Sequence, residues 1–443
     1  MVRASLAMLL VALALIAAAP ASAATAPGPG ITGAAQPAYD LNVSWFPRGD
    51  GVLFGTESVS FTNLGTTPLD SIWLRTWANG PDHCHPRRLQ LEVTAGGTAG
   101  RTACTAQQIV LETPVQPGAT SAVAFGITIH GRPDRDRFGT SKGTALLGDV
   151  IPVLAITDRD GVHIHEKFQN LGESFYAAAG PWTAEVSLPR GLHLASTGHE
   201  TADTPARGRH TVTVETPHAR SFGLAIGALP HIERTVEGVT IRVFGDKPAA
   251  RRSLMAETAG ALKVFQRRYG PYGSPEFDVV ETRIGFFGME YPEMVMEDPD
   301  VGTAAHELAH QWWFGIVGDD EFHNAWLDET LASYSDGVTY TGFDYCRGFD
   351  RLRNPNVRLD EPMSYWIRHR RAYGAVVYGW GACQLHRLEK RAGRPAMNRF
   401  FGRLVSEFRY AILTPADFAR VLTETMPARI DVRAFLQKTR AIY

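Results

Sequence analysis

The stretch HELAHQWWFGIVGDDEFHNAWLDE, His306 to Glu329, constrains the fold of this chain more than any other. His306 and His310 stand four residues apart, a little over one helical turn, so a helix carries both imidazoles on one face. Two imidazoles so placed grip a single cation, and Glu307, beside the first, reaches a water that the cation polarises. Glu329 follows His310 after eighteen intervening residues. On a second helix, NAWLDETLASYSD, it supplies the carboxylate that completes a two-histidine, one-carboxylate zinc site. Seven residues on, Asp336 returns to nearly the same helix face, placed to accept the spare N–H of a ligating histidine. Each residue alone has a bland explanation, as a surface histidine pair or a solvated acid. All of them at these offsets, in a context rich in Trp and Ala, point to one catalytic zinc per chain.

Composition sets the frame for that site. The chain has 443 residues, 44% hydrophobic and 20% charged, enough for two or three globular domains. A net charge of -2 and the lack of a basic cluster with interleaved aromatics argue against a nucleic-acid partner. The opening segment MVRASLAMLLVALALIAAAPASA reads as a signal peptide: Arg3, an apolar run from Leu6 to Ala19, and a small-residue cleavage site ending at Ala23. The protein is therefore expected to be exported and secreted, without stable membrane insertion. In that oxidising setting, locality among the four cysteines favours the disulfides Cys84–Cys104 and Cys346–Cys383.

From Tyr39 to about Pro230 apolar and polar residues alternate between Gly, Pro and Asn breaks, the pattern of an antiparallel β domain. Within it, VHIHEKF puts His163 and His165 on one side of a strand; with no third clear ligand nearby, a solvated face is expected. After Glu237 the period changes. VTIRVFG and EFDVVETRIG read as strands flanking a helix that Asp246 caps, with Pro248 in its first turn. Further helices are expected at about 302–316, 325–341, 372–391, 395–409 and 414–425, the last opened by Thr414 and Pro415. The organisation is a signal peptide at 1–23, a flexible linker at 24–38, an N-terminal β domain at 39–236 and a mainly helical α+β domain at 237–443.

The 306–329 stretch closely resembles the zinc motif of the aminopeptidase N family of gluzincins, including QWW after the second histidine and WLDE around Glu329. Upstream, GFFGMEYPEMVM at 285–296 resembles that family's G-x-M-E-N exopeptidase signature. The match implies substrate binding by Gly288, Met289 and Glu290, with Glu290 taking the substrate's free α-amino group. Downstream, VVYGWGACQLHRL is similar to the family's Tyr-x-x-Gly helix start, which implies a catalytic role for Tyr378. The β-rich half is similar to the family's N-terminal saddle domain, and the second half is then expected to be thermolysin-like. Two departures stand out. Phe287 occupies a usual glycine and Tyr291 a usual asparagine, a change expected to tune the first subsite. The sequence ends at Tyr443, short of the large helical C-terminal domain of many members, and a more open cleft is expected.

The chemistry implied is peptide hydrolysis with Glu307 as base and Tyr378 steadying the oxyanion. From residue types alone, Tyr373 rivals Tyr378 and Glu293 rivals Glu290; only the motif separates them. An aminopeptidase is the expected activity. A zinc endopeptidase with an open cleft is the enzymatic alternative, and a catalytically dead binding protein on a peptidase scaffold is the alternative of a different class.

Overall fold

The computed structural model describes residues 30–439 except 82–83, 86, 133–136, 142, 170, 172–173, 283–286, 299, 301 and 350–357. The signal peptide expected at 1–23 lies outside the described residues. The first strand, Ala34–Phe46, begins inside the segment read as linker, because Ala34 and Ala35 pair with Asn63 and Thr62. Its alternating burial drives Tyr39, Leu41, Val43 and Trp45 into the core, and Tyr39 stacks on Trp182 with ring centroids 3.8 Å apart. A seven-stranded sheet, two four-stranded sheets and a strand pair make up this half. Pairing is antiparallel except where Ala34–Phe46 runs parallel to Gly180–Pro189. The Gly- and Thr-rich strands Gly97–Ala103 and His199–Ala206 were not legible in the sequence, since edge strands bury too little of either face to show alternation.

The second half is built on a five-stranded sheet, in the order His231–Val236, Val239–Phe244, Glu276–Glu281, Met294–Glu297, Gly288–Met289. The strand His231–Val236 pairs wholly with Val239–Phe244, so it sits with this sheet, although it precedes the boundary read at 236. Period-2 alternation puts the sheet between two cores. Val243, Val279 and Val295 face the helices, whereas Phe244, Val280, Met294 and Met296 face the β domain.

The helix Pro248–Tyr269 packs on the inner face through Leu254, Leu262 and Phe265, each buried aliphatic or aromatic side chain contributing about 1.5–3 kcal/mol. Lys247, not Asp246, occupies its N-cap, and Pro248 begins the helix. At Pro415–Thr425 the expected cap is present: the Thr414 hydroxyl accepts from the Asp417 backbone N–H at 3.1 Å. A helix Val432–Thr439 follows, beyond the helices expected. Both expected disulfides, Cys84–Cys104 and Cys346–Cys383, are formed.

Candidate metal centre and cavity

The expected helix at 302–316 is an α-helix, Ala304–Ala309, followed directly after His310 by the segment Gln311–Ile316, whose backbone kinks out of helical geometry at Trp313 and Phe314. Glu329 lies on Trp326–Ser333, which passes into a π-helical segment, Tyr334–Thr341, carrying Asp336. The two helices bring three ligand atoms together. His306 Nε2 is 3.1 Å from Glu329 Oε2 and 3.1 Å from His310 Nε2, and His310 Nε2 is 3.3 Å from Glu329 Oε2. Zinc bonds of roughly 2.0–2.1 Å set tetrahedral ligands about 3.3 Å apart, so the three observed spacings are those that a zinc ion would need from His306, His310 and Glu329. Three buried lone-pair donors converging on one point repel one another unless a cation or proton lies between them. Burial pushes the Glu329 carboxyl up, but hydrogen bonds and charge from His306 and His310 outweigh that and hold it at about 2. Burial lowers the His310 ring, favouring the neutral ligating form. The donor set fits zinc.

The surrounding cavity has a volume of about 500 Å³. Glu307 lines it beside His306, and Gly288 and Met289 form its edge strand, paired with Glu297 and Met296. A Cβ at Gly288 would overlap the Glu307 carboxylate, so glycine there is a requirement of space. Met289 lines the cavity, and its Sδ lies 2.9 Å from Nη1 of Arg137, a β-domain residue that closes one wall. Glu290 stands at the inner end, 3% exposed, with an oxygen within 4.8 Å of ligand-capable atoms of Glu307 and His310. Glu293, its rival by residue type, is turned away: it accepts from Thr216 at 2.8 Å and burial raises it to about 7. Tyr291 also faces away. It is packed where a Cβ on Gly148 or Gly223 would stand, and so joins the domains instead of shaping a subsite. Phe287 is 66% exposed at the cavity rim.

Tyr378 lies in the π-helical segment Gly374–Trp380, lines the cavity, hydrogen-bonds Glu329 Oε1 and stacks on His306 with centroids 5.6 Å apart. Tyr373 lines the same wall, its ring edge-on to Tyr378 at 5.4 Å. Asp336 lines the cavity close enough to His306 for their charges to interact; burial raises its carboxyl to about 6. A second carboxylate behind the histidines escaped sequence reasoning. Asp328 Oδ2 is 3.8 Å from His310 Nδ1, and Asp328 Oδ1 accepts from the Glu329 backbone N–H. As Glu329's immediate neighbour it points about 100° round the helix, toward His310 and away from the ion. Its position in WLDE was the available signal. Oxygens of Asp328, Glu290 and Glu321 lie within 4.8 Å of one another, all buried; burial and the neighbouring acids push the Asp328 carboxyl well above the ordinary range, and of the three only Glu290 lines the cavity.

Comparison with known proteins agrees with this geometry. A model of the peptidase family M1 domain matches residues 294–438. Leucine aminopeptidase 2 of Emericella nidulans is 23% identical over 218 residues, 42% of this chain and 34% of that protein. Aminopeptidase B of Mus musculus is 23% identical over 282 residues, 56% of this chain and 42% of that protein. The chain thus spans between a third and a little over two-fifths of the length of these curated relatives. Its fold is similar to the crystal structure of the M1 zinc metallopeptidase from Deinococcus radiodurans, with a TM-score of 0.71 and 20% identity over 94% of this chain and 96% of that one. A mutant of that protein bound to a Tyr-Ser-Ala substrate aligns with a TM-score of 0.68 and 19% identity, over 94% of this chain and 96% of that one.

Proposed function

We propose, from the premise that this chain carries a peptidase family M1 zinc-metallopeptidase domain, that it is an aminopeptidase releasing N-terminal residues from peptides. His306, His310 and Glu329 hold one zinc. Bound there, zinc lowers the pKa of a water to roughly 7 and polarises the scissile carbonyl. Glu307 takes the proton of that water at its carboxylate and passes it to the leaving amine. The Tyr378 hydroxyl, hydrogen-bonded to Glu329 in the resting site, turns to donate to the oxyanion that develops on the substrate carbonyl. Asp336 and Asp328 steady the His306 and His310 rings. Gly288 and Met289 pair with the extended substrate backbone as an edge strand does. Both disulfides support an exported, oxidising setting, and no helix among the described residues is long and apolar enough to cross a membrane.

The observation that carries the exopeptidase reading is the buried Glu290 on the cavity wall, with an oxygen within 4.8 Å of ligand-capable atoms of Glu307 and His310. A carboxylate at that wall pairs with a protonated α-amine. N-acetylating a substrate removes that charge and costs about 2–4 kcal/mol in the transition state, on the order of 30- to 1,000-fold in kcat/KM. Measured on free and N-acetylated versions of one peptide, wild type should show that preference, and Glu290→Ala should lose most of it. Internal cleavage of the acetylated peptide at a comparable rate would replace the aminopeptidase by an endopeptidase.

A further inference from the structure

One cluster joins the two domains through groups that hydrolysis in the cavity does not use. His163 is not on a strand face as its alternation with His165 suggested: the strand ends at Val162, His165 is exposed, and His163 is tucked inward. Its Nδ1 meets Glu166 Oε1 at 2.9 Å. Glu166 Oε2 accepts from Arg75 at 2.8 Å, and Arg75 also donates to the His163 and Glu166 carbonyls. An anchored carboxylate that takes the proton of one ring nitrogen turns the lone pair of the other outward, as it does behind metal-binding histidines. That other nitrogen, Nε2, is buried and stands 2.9 Å from Asp158 Oδ2, at an angle that makes no hydrogen bond. Tyr176 donates to the same oxygen at 3.2 Å.

The ligands missing from the sequence reading arrive from the other domain. Asp320 and His323 lie in the spacer between His310 and Glu329, around the short helix Glu321–Asn324. One ligand-capable atom each of His163, Asp320 and His323 lies within 4.8 Å of the other two. His323 Nδ1 is 2.7 Å from Asp320 Oδ2, and the two histidine rings are 6.0 Å apart, edge to face. Among the described residues, Asp158, Glu166 and Asp320 bring three carboxylates to the cluster, and Arg75 pairs with Glu166. The next guanidinium, Arg220, is engaged by the carbonyls of Phe314, Ala177 and Ala411. Burial works against a charge on His163, but Glu166 and Asp158 outweigh it and raise the ring to about 9; the field that favours a proton there favours a cation too.

We propose that His163, Asp158, Asp320 and His323 form a second divalent-cation site, for a borderline transition ion such as Zn2+, that fastens the β domain to the spacer of the catalytic domain. Two imidazoles with carboxylates suit such an ion better than Ca2+ or Mg2+, which take all-oxygen shells. The test is independent of the catalytic reading. The full chain is stripped with a chelator, reloaded with Zn2+, passed through gel filtration and assayed for zinc per chain. Wild type should hold two; His323→Ala and His163→Gln should each hold one and keep hydrolysing an aminoacyl reporter; His310→Ala should hold one and lose hydrolysis. The His323 side chain is 45% exposed, so its variant carries the test even if His163→Gln fails to fold. A single zinc in wild type that His310→Ala loses and His323→Ala keeps overturns the proposal and leaves the cluster an ion-pair knot. Two zincs retained in His323→Ala also overturn it, since the second ion then sits elsewhere.

Discussion

A Cβ built on Gly288 would occupy the volume of the Glu307 carboxylate, so the side chain assigned as base is positioned partly by the absence of an atom on the neighbouring strand. Gly288→Ala should therefore push Glu307 out of line without touching the three zinc ligands. A displacement on the order of 1 Å costs about 100-fold in kcat. Glu307→Gln, which leaves the volume unchanged but cannot take a proton, should cost about 100- to 10,000-fold. Both variants should keep the zinc that His310→Ala loses, which elemental analysis reads directly. Zinc lost from Glu307→Gln would mean that ligand and base have been exchanged. At this scale the pairing of His306 with His310 was legible because helix period alone aligns residues four apart. Asp328 and Glu321 were not, because their partners His310, Glu290 and Phe175 lie on other elements.

The elements around the cavity share a loosened helical geometry. The kinked segment Gln311–Ile316 and the π-helical segments Tyr334–Thr341 and Gly374–Trp380 each follow or contain a site residue, and such irregularities recur where a helix must re-aim a side chain. The Cys346–Cys383 disulfide braces two of them. It ties the helix Cys346–Phe349, just beyond Tyr334–Thr341, to Gly381–Ala392, which continues the Tyr378 segment. With a sequence separation of 37 between the cysteines, chain-entropy arguments give a stabilisation of about 3–4 kcal/mol. Replacing both by serine should lower the thermal midpoint and reduce kcat while zinc content stays near wild type, since His306, His310 and Glu329 lie outside the closed loop. Unchanged turnover in a destabilised variant would separate the disulfide from the Tyr378 wall. Helix positions were readable from apolar periodicity; the π segments were not, because a one-residue bulge leaves that periodicity almost intact.

Across the whole molecule, the domains are joined by polar groups sealed inside a shared core. Glu293 of the catalytic half accepts from Thr216 of the β half, and burial raises its carboxyl from the ordinary range to about 7. A carboxyl raised on folding contributes its full stability below the unfolded pKa of about 4.5 and loses it as pH climbs through about 7. The loss amounts to about 3 kcal/mol at alkaline pH. Glu293→Gln, which keeps the shape without the ionisation, should match wild type near pH 5 and exceed it in urea midpoint at pH 8. Equal midpoints at pH 8 would mean that Glu293 folds in its charged form. Arg220 makes a similar seal, reaching three backbone carbonyls from the β half, in a space that only Gly318 leaves open.

The sequence by itself determined the plan of a β domain followed by a mainly helical one, and it singled out His306, His310 and Glu329 as candidate ligands. Strand alternation, helix period and the spacing of His306, His310 and Glu329 are local rules that hold wherever those residues fold. Only the tertiary structure decided that Glu293 is bound to Thr216 away from the cavity, that Tyr291 joins domains instead of lining a subsite, and that His163 meets Asp320 and His323. Those facts depend on surfaces far apart in the chain, and on which face of the central sheet each alternating side chain is given. Packing two cores against one sheet sets that choice, and no local pattern records it.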